Sequence, residues 1–169
     1  SFSTSGINPM RVSQSAFVPQ YVNQNHSVKL DTRIASTYVD LGTDSSLVTP
    51  GNKVSMSVWV FLRHTGLVNS FILMAGANQT ASPYSMKVNN YASPTFTVDT
   101  SGGDTGTGET FDIEPNRWYN LVGVYDNSTI KIYVNGVEKR SVSVSNNGDV
   151  VHDGSTSFKI GNQNAFGII

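Results

Sequence analysis

After residue 26 the chain alternates apolar and polar residues at a period of two over most of its length. In the run VSMSVWVFL, residues 54–62, Val54, Met56, Val58, Val60 and Leu62 fall on one side, and Ser55, Ser57, Trp59 and Phe61 on the other. That is the pattern of a strand with one face buried. The run TIKIYVNGVEKRSVSVS alternates Ile130, Ile132 and Val134, turns at Asn135-Gly136, and resumes with Val142 and Val144. Asn-Gly between alternating runs predicts a tight hairpin, because both turn positions need positive φ. Further strands are expected at 27–31, 36–41, 70–75, 84–89, 94–99, 117–126 and 156–161. Between them lie the turn clusters TDSSLVTPGN, GANQTASP, DTSGGDTGTGE and SNNGDVVHDGS. No segment carries a 3.6-residue apolar stripe, so the expected fold is all-β: a two-sheet antiparallel jelly-roll sandwich.

Residues 1–26 break the pattern. They are rich in Ser, Asn, Gln and Pro with scattered apolar residues, and read as an arm or linker ahead of a sandwich over 27–169. At 169 residues one domain is the default, and without cysteine it must be held by its core alone. Only 14% of residues are charged and the net charge is −1, which leaves no basic footprint for nucleic acid or anionic lipid. A surface so dominated by Ser, Thr, Asn, Gln and Gly suits neutral polar partners such as sugars and protein surfaces. No run of about 18 apolar residues occurs, so no membrane insertion by a helix is expected.

The order of four segments adds a resemblance. SVKLDTRIASTYVDLG, VSMSVWVFLR, RWYNLVGVYDNSTIKIYVNGVEKRS and SFKIGN, taken in turn, resemble the laminin G-like, concanavalin A-like lectin and glucanase superfamily. The most specific piece runs from Trp118 to Gly136: a Trp-led strand ending in Tyr-Asp, a short turn, then a strand closing in Tyr-Val-Asn-Gly. The resemblance covers residues 27–169 and implies a jelly-roll of two curved sheets. Its members bind carbohydrate or protein ligands, some bind calcium, and some hydrolyse glycans, so fold alone does not choose among these. In such domains SFKIGN is followed by a strand of the type Gly-x-Ile-Asp-x-Val-x-Ile-Tyr, of which Gly167, Ile168 and Ile169 are the start. The expectation is a fragment of a longer protein, or a sheet whose C-terminal edge a neighbour completes.

Three carboxylates, Glu109, Asp112 and Glu114 in ETFDIE, invite comparison with the Glu-x-Asp-x-Glu catalytic strand of the glucanase branch. The extra residue turns Glu109 to the opposite face from Asp112 and Glu114, and Pro115 ends the segment at once. A solvated loop leading into the Trp118 strand is the expected role. No Gly-x-Ser-x-Gly elbow, Cys nucleophile, paired His motif or P-loop accompanies it. No catalytic residue is assigned.

For a ligand, a sugar needs an aromatic platform with amides beside it. Tyr84 and Tyr91 are the candidate platform, with Asn78, Gln79 and Asn89 beside them, whereas Trp59, Trp118, Tyr125 and Tyr133 are expected to pack in or between the sheets. Asp99 and Asp104, in the loop DTSGGDTGTGE, are the candidate metal ligands for calcium, although turn capping is the plainer role for either acid. Two readings follow. The first is a non-catalytic carbohydrate- or ligand-binding module of a larger extracellular or surface protein, with a glycan or protein ligand. The second is a structural or decoration protein of a virion or other assembly, tethered to neighbouring subunits through residues 1–26.

Overall fold

The computed structural model describes residues 28, 38–43, 51–63, 70–75 (backbone), 83–89, 92–108, 112–145, 147–151 and 157–161. The arm 1–26, most of the strand expected at 27–31, and the C-terminal residues 167–169 lie outside them. Among the described residues, ten strands form two antiparallel sheets that pack face to face as a sandwich. They are β1 (Tyr38–Gly42), β2 (Val54–Phe61), β3 (Ser70–Ala75), β4 (Tyr84–Val88), β5 (Pro94–Thr100), β6 (Gly103–Gly106), β7 (Trp118–Tyr125), β8 (Thr129–Val134), β9 (Val137–Ser143) and β10 (Phe158–Gly161). The larger sheet has the order β1-β10-β3-β4-β5-β6, and the smaller β2-β7-β8-β9. Among the described residues no helix is long and apolar enough to cross a membrane.

The core follows from the alternation. Val54, Met56 and Val60 of β2, Leu121 and Tyr125 of β7, and Ile130, Ile132 and Val134 of β8 turn inward from the smaller sheet. They meet Tyr84, Met86 and Val88 of β4, Phe96 and Val98 of β5, and Phe158 of β10. Each such side chain, fully buried, contributes roughly 1.5–3 kcal/mol. At Gly123 the two sheets are in tight contact. Phe96 lies so near that a Cβ on residue 123 would overlap its ring carbons, so any side chain here would overpack the core.

Local chemistry sets the turns. Asn135 and Gly136 have φ of 50° and 79°, the two positive values the β8–β9 hairpin requires. At the β7–β8 turn, Asp126 Oδ1 accepts hydrogen bonds from the Thr129 N–H (2.7 Å), the Ser128 hydroxyl (2.9 Å) and the Ser128 N–H (3.0 Å). This network explains the Tyr-Asp motif: Tyr125 is buried with its hydroxyl donating to the Gly148 carbonyl at 3.0 Å, and Asp126 clasps the turn. The expected ligand loop DTSGGDTGTGE is instead a hairpin, with β5 running to Thr100 and β6 starting at Gly103. The Thr100 hydroxyl ties it by donating to the Gly103 carbonyl at 2.8 Å. Asp99 and Asp104 therefore sit on paired strands, not in a loose loop.

Candidate functional site

The outward side of the smaller sheet carries the rings. Because Val54, Met56 and Val60 claim the core, the period of two turns Ser55, Ser57, Trp59 and Phe61 to the outside. On β7, Leu121 and Tyr125 face in, and Trp118, Asn120, Val122 and Val124 face out. The β2–β7 register sets Trp59 opposite Asn120 and Phe61 opposite Trp118. Trp59 is 64% exposed and Trp118 is 50% exposed. The Phe61 ring, directly across from Trp118, tilts 53° against it at a centroid distance of 5.4 Å. Burial was expected of both tryptophans and is corrected here. The signal was present in Ser55 and Ser57, which share the Trp59 side and mark it as wet.

Polar groups border the rings. The Asn120 amide nitrogen donates to the Ser57 hydroxyl at 3.3 Å and lies 3.5 Å from the Val58 carbonyl. Asn135, in the neighbouring hairpin turn, accepts from the Asn120 N–H at 2.9 Å, and its own N–H donates to the Asn120 carbonyl at 2.8 Å. Asn120 is thereby clamped from both sides, beside Trp59. Farther along the face, Tyr133 donates to Glu138 at 3.2 Å, and Lys131 pairs with the same carboxylate at 3.4 Å. The Glu138 hydrogen bond and charge push the Lys131 ammonium above its ordinary range.

The residues expected to bind ligand are placed differently. Tyr84 is only 5% exposed, with its ring 5.2 Å from that of Phe158 inside the core. It is a packing residue because even-numbered positions of β4 face inward. Asn89 is buried, and its side-chain oxygen accepts from the Ser93 N–H at 2.8 Å to close the turn after β4. Neither side chain is available as a platform or rim. Tyr91, Asn78 and Gln79 lie outside the described residues, as do His26, His64, His152 and Glu109.

The acids divide into two places. Asp112 and Glu114 are exposed in the segment before β7, with Ile113 buried between them, and Glu114 pairs with Arg117 at 2.9 Å. The Glu114 N–H donates to the Tyr119 hydroxyl at 3.1 Å, which anchors this segment as a lead-in to the strand. Asp99 and Asp104 face each other across β5–β6. Partial burial, then the charge of Asp104 and a hydrogen bond to it, hold the Asp99 carboxyl above the usual carboxylate range. A like charge so placed disfavours ionisation of the Asp99 carboxyl. Calcium takes six to eight oxygens, and among the described residues no group of three acids or histidines converges.

The chain belongs to the concanavalin A-like lectin/glucanases superfamily, whose family model matches residues 33–167. No curated protein matches it in sequence. Among solved structures it is similar to the CBM40 of the Ruminococcus gnavus IT-sialidase, at 13% identity and a TM-score of 0.55, over 83% of this chain and 82% of that one. The same module bound to α2,3-sialyllactose matches with the same values. The carbohydrate-binding module CBM66 from Bacillus subtilis matches at 16% identity and a TM-score of 0.47, over 80% of each chain. At these identities the likeness is one of fold.

Proposed function

We propose that this member of the superfamily is a non-catalytic carbohydrate-binding module and that the sugar lies on the aromatic end of the smaller sheet. One observation carries the reading: Trp59 and Trp118 stand 64% and 50% exposed on neighbouring strands. Rings of this size normally bury 150–250 Å² each. Two exposed at diagonal positions of neighbouring strands, beside a clamped amide and a hydroxyl, form the surface that a sugar's C–H face and hydroxyls complement. The acids support the non-catalytic part, because Asp112 is solvated and Glu114 is ion-paired on a loop. An extracellular or surface setting, where free glycans occur, goes with this reading. The structural-assembly alternative rests on residues 1–26, outside the described residues.

The test is a glycan array followed by titration of the best hit against Trp59→Ala and Trp118→Ala. Each substitution is expected to weaken binding about tenfold or more, the loss of one stacked ring, and to leave the thermal midpoint where it was. A hit whose affinity both variants keep would place the site elsewhere.

A further inference from the structure

Resting on that reading, we infer that the ligand is a neutral glycan chain contacting the face with at least two consecutive sugar rings. The charge distribution is the first ground. Strands β2 and β7, VSMSVWVF and WYNLVGVY, contain no Asp, Glu, Lys, Arg or His. β8 and β9 carry Lys131, Glu138, Lys139 and Arg140; Lys131 and Glu138 neutralise each other, Tyr133 occupies Glu138 further, and Arg140 is paired across the strands with core-facing Ile132, on the opposite side of the pleat from Lys131. At the rim beside Trp118, Glu114 and Arg117 are likewise paired. A carboxylate or sulfate laid on the rings would leave water without a counter-charge from β2 and β7, the two strands that carry them, and desolvating an unpaired charge is strongly unfavourable. The polar groups bordering the rings, the Asn120 carboxamide and the Ser57 hydroxyl, are uncharged and match sugar hydroxyls.

The spacing of the rings is the second ground. Trp59 pairs with Asn120, so Trp118 is its diagonal neighbour, two residues along β7. Diagonal positions in an antiparallel pair lie about 7–8 Å apart. One pyranose covers one indole face, so two indoles at this offset suit successive units of a chain and are wasted on a lone terminal sugar. Arg63, exposed in the bend that follows β2, is the residue that an acidic ligand would recruit instead.

The experiment is calorimetric titration of the whole chain with neutral hexasaccharides (gluco-, xylo- and manno-configured), the matching disaccharides, hexagalacturonate and sialyllactose, at low and high salt. The same sugars are then titrated into Trp59→Ala and Arg63→Gln. The expected result is binding of a neutral hexasaccharide about tenfold tighter than its disaccharide, unaffected by salt, lost in Trp59→Ala and kept in Arg63→Gln. Tighter binding of an acidic sugar, weakened by salt and lost in Arg63→Gln, would overturn the neutral class. If Trp59→Ala also abolished that binding, the carbohydrate reading would stand. Equal affinity for disaccharide and hexasaccharide would overturn the extended contact. Silence of both sugar classes would overturn this inference together with the reading it rests on.

Discussion

The outward faces of the two sheets have opposite chemistry. The smaller sheet shows solvent Trp59, Phe61 and Trp118. The larger turns out Ser85 and Lys87 of β4, Thr95, Thr97 and Asp99 of β5, and Lys159 of β10. Composition would make the first face dry and the second wet. The reverse holds: Ser85 is 3% exposed and Thr95 5%, while Trp59 is 64% exposed. The Ser85 and Thr97 hydroxyls satisfy each other at 2.7 Å. Lys159, opposite Asp40, covers the Tyr38 ring at 5.3 Å. Burial is decided by which side of the pleat a residue occupies and by what stands next to it, more than by residue type.

Aromatic residues give the largest test of that contrast. Tyr84→Ala removes a ring packed on Phe158 and is expected to destabilise the chain by about 3–4 kcal/mol, a fall of about 10 °C in Tm at this size. Trp59→Ala, a larger truncation, is expected to change stability by less than about 0.5 kcal/mol, as surface substitutions usually do. Chemical denaturation of both variants checks the pair. Similar losses in both would mean that the Trp59 face is also covered, and the comparison of faces would fail.

Much of the fold was legible in advance, for a physical reason. Where aliphatics recur at every second residue, as in β2 and β8, strand and inward face follow together, and Asn135-Gly136 marks its own turn through φ. The short β6 was missed because Gly103 and Gly106 supply no side chains to alternate, and its pairing with β5 is carried by backbone bonds. The site was less legible than the fold. A ring's size argues for burial whatever its position, so the tryptophans were assigned inward although their parity pointed outward. Tyr84 was assigned to a hairpin rim because the neighbouring Ser, Pro and Asn look like loop. Its partner Phe158 is 74 residues away in sequence and is brought alongside only by the pairing of β10 with β3 and of β3 with β4.

A smaller effect sharpens the comparison from the other side. Among the described residues, the buried Thr95 Oγ1 finds no hydrogen-bond partner. An unsatisfied hydroxyl typically costs about 1–3 kcal/mol, and valine has nearly the same shape and suits a strand. Thr95→Val is therefore expected to raise stability by about 1 kcal/mol, measured by denaturant midpoint at constant slope. A loss of stability would mean that the hydroxyl is satisfied in solution, and that the larger sheet's face is wetter than its burial indicates.

The smallest effects distinguish two aspartates by sign. Asp126 is held at about 2, below its ordinary 3.8, by the Thr129 N–H first and then by Ser128. A depressed carboxyl stabilises the fold above the unfolded value, and that contribution disappears as pH falls through about 2. Asp99 is shifted the other way by burial and by Asp104, so its ionisation opposes folding. That opposition is absent below 3.8 and complete only once pH has risen above the folded value. At pH 7, Asp126→Asn should lower the thermal midpoint and Asp99→Asn should raise it. Each shift should be under about 2 °C, because both groups are largely solvent-screened. Near pH 3 the Asp99→Asn gain should vanish while about half of the Asp126→Asn loss persists, and little of the latter should remain at pH 2. Thermal melts at pH 7, 3 and 2 separate the cases. A gain from Asp99→Asn that survived at pH 3 would show that ionisation of Asp99 is not its source, because its raised carboxyl is then largely protonated.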